Sequence, residues 1–357
     1  MNSFDVCIIG QGIAGTTLAW QLHWNGQRVA IVDPHKPVTA SRIAAGLMTP
    51  ITGQRLVKHA RYHEDYNFAV GFHRKVERET NSSFLHEKAA LRLFVSHEER
   101  QLFEEKATRD FAGSVKRVNS LDGHTALNMR HGGFEMSPAG RLNVSRYLDV
   151  SRQFFEQRQT FFQAEIDLPD DLSLSETSVA IPKLELEADR LVFCQGFASI
   201  DNPWFGAIPF DAAKGEILTV RIPGLKSRQV VHRGVWLAPC KEDLFRVGAT
   251  YDRAHFNETP TPAGRAELCR RLENLLRVPY EIVDHRAAVR PIIQGKQPRM
   301  GFHPERKRLG ILNGLGSKGA LMAPRLAARF VEALMGKSDW PAEYDVAQCE
   351  KFSSCPD

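Results

Sequence analysis

Phe4 to Ile9 is a short apolar run of β-formers, and Gly10-Gln11-Gly12-Ile13-Ala14-Gly15 follows it directly. A helix-compatible stretch from Thr16 to His23 comes next, stopped by Gly26, and a second apolar run, Arg28 to Val32, ends in Asp33-Pro34. That order predicts a buried strand, a tight turn, a helix and a parallel second strand, the opening unit of a doubly wound α/β sheet. Gly10 allows the turn, Gly12 lets backbone approach a pyrophosphate, and Gly15 lets the helix pack close to the strand. The helix N-terminus then offers free N–H groups and the positive end of its dipole to the phosphates. Asp33 is placed to accept hydrogen bonds from both ribose hydroxyls, which disfavours a 2′-phosphate and hence NADP. The glycines alone would be only a glycine-rich turn. Strand, glycines, helix, strand and acid in order predict a dinucleotide site, occupied by either NAD or FAD.

Two further segments suit close backbone approach to a ligand. Thr39 to Met48 is rich in small and hydroxylated residues (Ser41, Arg42, Ala44, Ala45, Gly46), too loose for a core helix; its plain alternative is a βα connection. Gly314 to Gly319 opens a helix predicted from Ala320 to about Met335, so its backbone N–H groups also face something electron-rich, unless the loop merely precedes a packing helix. Composition narrows the class without naming the chemistry. The chain has 357 residues, 25% of them charged, and a net charge of +5, short of the dense field of a dedicated nucleic-acid binder. No stretch reaches the roughly 20 apolar residues of a membrane span, and Met1 to Asp5 does not read as a secretory signal. Cys7, Cys194, Cys240, Cys269, Cys349 and Cys355 form no CxxC pair, so we expect reduced thiols, no metal site and a cytoplasmic location. His59 and His63, four apart, lack a third ligand nearby.

The chain resembles the FAD-dependent amine and amino-acid oxidases, the family of glycine, sarcosine and D-amino-acid oxidases, with its nearest likeness in the glycine-oxidase branch. The segment from Ser41 to Met48 is similar to the family's second flavin-contacting segment. Leu191 to Gly196, ending in Gln195-Gly196, is similar to the strand that passes the cofactor. Lys214-Gly215-Glu216 matches a turn of the glycine-oxidase branch, and Trp236 to Pro239 and Val247 to Thr250 resemble substrate-domain strands. Ala288-Val289-Arg290-Pro291 resembles the family's Arg-Pro motif, and Asn313 to Gly319, with Gly314, Gly316, Ser317 and Lys318, its closing flavin loop. The resemblance implies a Rossmann-type FAD domain interleaved with an α+β substrate domain carrying an antiparallel sheet. We expect the former at 1–74, 140–200 and 285–345, the latter at 75–139 and 201–284, and a tail at 346–357. Helical patterns at Gly140 to Gln157 and Ala263 to Arg277 and alternating runs at Gly215 to Ile222 and Gly234 to Ala238 complete that organisation.

Function follows from the same likeness. A guanidinium forks to match a carboxylate, and the resemblance gives Arg290 the substrate carboxylate; a structural partner such as Asp284 is the alternative. Arg55 and Lys58, three apart and on one face if helical, resemble two cations that face flavin and substrate, and Arg246 is a weaker candidate for the oxygen-activating position. The covalently flavinylated branch carries cysteine where this chain has Arg290, which implies non-covalent FAD. Trp236 stands for a pocket tyrosine and Ser317 for a loop arginine, departures that bear on the substrate. The implied reaction takes a small anionic amine to an imine by hydride transfer to the flavin, with oxygen as reoxidant and hydrogen peroxide as product. The alternatives are a tRNA wobble-uridine-modifying oxidase, an amine dehydrogenase serving another acceptor, and a flavin-binding protein without turnover. Homo-oligomers are compatible with any of them.

Overall fold

The computed structural model describes residues 1–119, 126–225 and 227–349. Its first strand, β1 (Asn2–Ile9), leads through Gly10–Gly12 into helix α1 (Ile13–Trp24) and then strand β2 (Val29–Asp33). Along β1, Val6 and Ile8 point into one buried cluster while Cys7 and Ile9 point into another, so both faces of the sheet are covered. The parallel strands run Phe161–Gln163, β2, β1, Leu186–Phe193 and Leu309–Asn313, a third-second-first-fourth-fifth order. This is the doubly wound arrangement, in which ligands bind outside the carboxyl ends of the strands. Two antiparallel strands, Ser173–Leu174 and Val179–Ile181, flank it through Leu186–Ala188, and Arg299–Phe302 adds to the far edge.

Helix α1 is buried on every side from Ala14 to Leu22 because the closing helix, Gly319–Leu334, and the helix Val144–Glu156 both lie against it. Trp20 anchors that contact by donating its indole N–H to Ser151 Oγ at 2.8 Å. Asn143 caps Val144–Glu156 by accepting from Arg146 N, so the helix begins there. The residues before it, Gly140–Leu142, form the central strand of a small sheet between Leu47–Met48 and Leu85–Glu87. The helix expected from Gly140 therefore starts four residues later, since strand pairing with the Gly46 segment takes the first three.

A second eight-stranded sheet has the order Glu281–Arg290, Ala213–Arg221, Leu244–Gly248, Val235–Lys241, Val231–Arg233, Ala90–Leu93, Gly133–Met136 and Val115–Val118. All its pairings are antiparallel except Val231–Arg233 with Ala90–Leu93. Lys214-Gly215-Glu216 lies inside a strand of this sheet rather than in a turn, because its alternation puts Lys214 and Glu216 on the buried face toward helix Pro262–Leu275. There Glu216 accepts from Thr261 N and Thr261 Oγ1, while Lys214 Nζ donates to Asn257 Oδ1. Glu281–Arg290 is one continuous strand, so a boundary at 285 falls within it. The tail packs through Val346, which is buried; Cys355 and the rest of the chain after 349 lie outside the described residues.

Candidate active site

The first glycine loop is compressed between two strands. A Cβ on Gly15 would lie 1.9 Å from the Gly10 carbonyl oxygen, and Gly10 itself has φ +107° with a would-be Cβ 2.5 Å from Cys194 O. The backbone here can bend this tightly only without side chains. Asp33 braces the loop from the end of β2, accepting from Gln11 N and His35 N at 2.7 Å each. Each of its oxygens keeps a lone pair for a ribose hydroxyl. Ser41 Oγ accepts the Ile13 N–H at 3.0 Å, so the first backbone donor of α1 is satisfied from the Thr39 to Met48 segment. Neighbouring Arg42 pairs with Asp149 at 2.8 Å, and the Ala44–Ala45–Gly46 backbone turns into the small sheet, where a Cβ on Gly46 would lie 2.0 Å from Leu142 O. Ala45 and Met48 are buried and Pro34 half-buried. These residues make a cradle of backbone N–H groups, small side chains and one acid, which fits a dinucleotide.

On its other side the cradle is closed by two loops that Asn313 joins. Its Nδ2 donates to Gly196 O and Ser199 Oγ, both at 2.8 Å, and its Oδ1 accepts from Gly314 N. Gln195 Oε1 accepts from Asn202 Nδ2. A Cβ on Gly319 would lie 2.7 Å from Ile13 Cγ2, so the closing helix starts directly against the first glycine loop. Asn313 went unweighted in the sequence as a site residue; a polar side chain ending a wholly apolar strand was the available signal.

Arg290 ends its strand over Gly215 of the neighbouring strand, whose would-be Cβ lies 2.0 Å from Nη2. The K-G-E glycine is therefore the space that the guanidinium occupies, a reason the sequence reading did not assign. Nη2 donates to Thr250 O at 3.2 Å, while Nη1 is buried without a partner. Asp284 instead holds Arg286 at 2.6 Å, and among the described residues no carboxylate pairs with Arg290. Burial pushes its guanidinium below the usual arginine value, against the opposing influence of Tyr251. The Tyr251 ring centroid lies 5.7 Å from its central carbon. Gly316 N donates to Pro291 O at 3.2 Å, so the Arg-Pro turn and the closing loop are one unit.

Trp236 faces the same side of the sheet and packs across Gly248, whose would-be Cβ lies 2.4 Å from the indole Cζ2. Its ring also meets the cluster of Ile43, Ile217 and Ala288, which sets the Ser41–Met48 segment on this face. Arg55 and Lys58 do not share a helical face: Ile51–Thr52 and Val57–Lys58 form a hairpin, with Arg55 exposed in its turn and Lys58 half-buried. Arg246 directs Nη1 to the carbonyls of Ile43 and Ala44, at 3.4 and 3.2 Å, and so ties down the end of the short helix Ala40–Ile43. Ser317 is exposed and Lys318 half-buried. His59 pairs with Asp65 and His63 with Ser114, and among the described residues no cluster could hold a metal. No helix of the described residues is long and apolar enough to cross a membrane.

Comparison with known proteins bears on this geometry. A glycine oxidase of Bacillus licheniformis is 24% identical, over 94% of this chain and 95% of its own length. The bifunctional tRNA 5-methylaminomethyl-2-thiouridine biosynthesis protein MnmC of Marinobacter nauticus is also 24% identical, over 90% of this chain but only 54% of its own. Among solved structures, glycine oxidase from Geobacillus kaustophilus superposes with a TM-score of 0.80 at 20% identity, covering 96% of this chain and 97% of that one. The family model of the FAD-dependent oxidoreductases (DAO) matches residues 5–333, nearly the whole chain, and the protein is therefore an enzyme of that family, an FAD-dependent oxidoreductase of the glycine and amino-acid oxidase type.

Proposed function

We propose that this flavoenzyme oxidises the C–N bond of a small α-amino acid, or of a related amine bearing a carboxylate. One observation carries the reading: Arg290 Nη1 is buried, unpartnered and set on the sheet face that meets the flavin segment. A buried cationic donor without an acceptor costs about 1–3 kcal/mol or more, which a bound carboxylate relieves. Non-covalently bound FAD supplies the hydride acceptor, and oxygen the final oxidant, yielding imine and hydrogen peroxide. Arg290 then fixes one end of the substrate, Gly215 leaves it the room to do so, and the rings of Trp236 and Tyr251 flank the guanidinium face. Arg55, exposed in its hairpin turn, and Lys58, half-buried at the end of the hairpin, remain candidate cations for the flavin and substrate.

The experiment is a panel of amino acids and secondary amines assayed for hydrogen peroxide, repeated with Arg290→Ala. Turnover lost with FAD retained supports the reading; an unchanged KM overturns it. The match to MnmC over 90% of the chain motivates a second reading, an amine carried on tRNA. Binding to tRNA with a steep salt dependence would favour it, and peroxide from free amino acids alone would exclude it.

A further inference from the structure

The reaction just proposed has a proton balance that Arg290 does not serve. An ammonium substrate that gives up a hydride and becomes an iminium leaves one proton over, and reoxidation by oxygen to hydrogen peroxide takes one proton back. Each half-reaction therefore moves a single proton, in opposite directions.

We propose that Lys318, His59 and Asp65 form a proton relay joining the closing loop to solvent. The inference rests on the amine-oxidation reading for its chemistry but on its own geometry for its parts. Lys318 lies between Ser317 and Gly319, in the loop that abuts Ile13 and is tied to Pro291. Its Nζ is 3.4 Å from His59 Nδ1, and His59 Nε2 is 2.6 Å from Asp65 Oδ2. A carboxylate at Nε2 places the ring proton there and leaves Nδ1 as acceptor for the lysine. Asp65 in turn lines a cavity of about 360 Å³ with Arg61, Arg325, Pro341 and Tyr344. Hydrogen bonds thus run unbroken from the cofactor loop to a space large enough for several waters.

The surrounding charges suit the task. Burial, then the ammonium of Lys296, holds Lys318 below the usual lysine value against the pull of Asp65, a direction that eases handing a proton on to His59. Burial works to raise Asp65, but hydrogen bonds from His59 and Arg325 outweigh it and keep the carboxylate charged. Arg325 is shared with Glu64 at 2.9 Å, and Arg61 is paired with Glu343, so neither cation is unpaired beside the relay. In the outward step Lys318 passes a proton to Nδ1 while Nε2 passes its own to Asp65, which releases it to cavity water. In the inward step the same bonds run backward: Asp65 returns a proton to Nε2 and Nδ1–H returns one to Lys318. Nothing is oxidised or reduced in the relay, and after one full turnover every proton is back in place.

The test uses FAD-loaded protein in weak buffer with a pH-indicator dye, mixed anaerobically with glycine or sarcosine, following flavin bleaching and proton release together. His59→Gln keeps hydrogen-bonding groups between Lys318 and Asp65 but cannot carry a proton; we expect release on the order of 100-fold slower, restored by added imidazole. A second arm photoreduces the bound FAD without any amine and admits oxygen, where the same variant should delay proton uptake. Silence with every amine but delayed uptake in that arm would sink the substrate reading and leave the relay standing. Unchanged proton kinetics in both arms would overturn the relay. Nitrogen NMR of the protein without FAD should show His59 protonated at Nε2, and an Nδ1-protonated ring would also overturn it. Should His59→Gln fail to hold FAD, Asp65→Asn gives the same test from the other end.

Discussion

The cradle that fits a dinucleotide and the sheet face proposed for the substrate are built from different materials. The cradle is backbone: Gly10, Gly15 and Gly46 leave no room for a Cβ, and its one acid is itself held by two backbone N–H groups. The proposed substrate face is assembled from side chains that reach across strands, Arg290 over Gly215 and Trp236 over Gly248. A ligand bound mainly by backbone tolerates little change in the chain that binds it. One bound by side chains on a sheet can be exchanged by altering a few positions, while the fold and cofactor stay.

The sharpest way to break this comparison is in the cradle. Gly15→Ala sets a methyl 1.9 Å from the Gly10 carbonyl, and the loop must move by more than the neighbouring strand allows. We expect the purified variant to be colourless, with FAD affinity reduced at least about 100-fold by fluorescence titration. A yellow, stoichiometrically loaded variant would show that the loop is softer than its contacts imply.

Arg290→Met probes the other region. Removing the cation proposed to hold the substrate carboxylate should cost about 3–5 kcal/mol, on the order of 10²- to 10⁴-fold in kcat/KM. FAD content should not change. If FAD is lost together with turnover, the two regions are not separable and the comparison fails.

How much of each region was legible in the sequence follows from the same division. The cradle was readable because glycines with no alternative residue fall at a fixed spacing between strand and helix, all within Phe4 to Asp33. Arg290 and Trp236 were found through resemblance, and their geometry was not, since Gly215 and Gly248 lie 75 and 12 positions away in the chain and meet them only by strand pairing. Arg55 and Lys58, three apart, would share a face only if Gln54 to His59 were helical. The hairpin won there because Gly53 takes a positive φ and starts the turn. Gly140 to Leu142 misled for a similar reason: a strand of three residues has no periodicity of its own, and its partners lie at Leu47–Met48 and Leu85–Glu87.

Gly215→Ala sharpens the comparison without removing any functional group. A methyl there would lie 2.0 Å from Nη2, so the guanidinium must shift, at about 1–2 kcal/mol. The expected result is KM raised roughly tenfold with kcat and FAD affinity little changed. An equal loss in kcat would mean that Arg290 acts in the chemical step as well as in binding.

The smallest effect belongs to Ser41, the place where a side chain enters the backbone cradle. Its Oγ accepts from Ile13 N at 3.0 Å and lies 3.1 Å from the position of a Gly12 Cβ, so it both satisfies a helix donor and narrows the approach to the loop. Ser41→Ala leaves that N–H to water or to the cofactor. Loss of one such bond is worth about 1 kcal/mol, or about a fivefold weaker hold on FAD, with amine KM unchanged. Measured beside Gly215→Ala, it asks whether each region answers only to its own ligand. A Ser41→Ala variant whose KM moves while FAD affinity stays fixed would place this hydroxyl on the substrate side of the boundary.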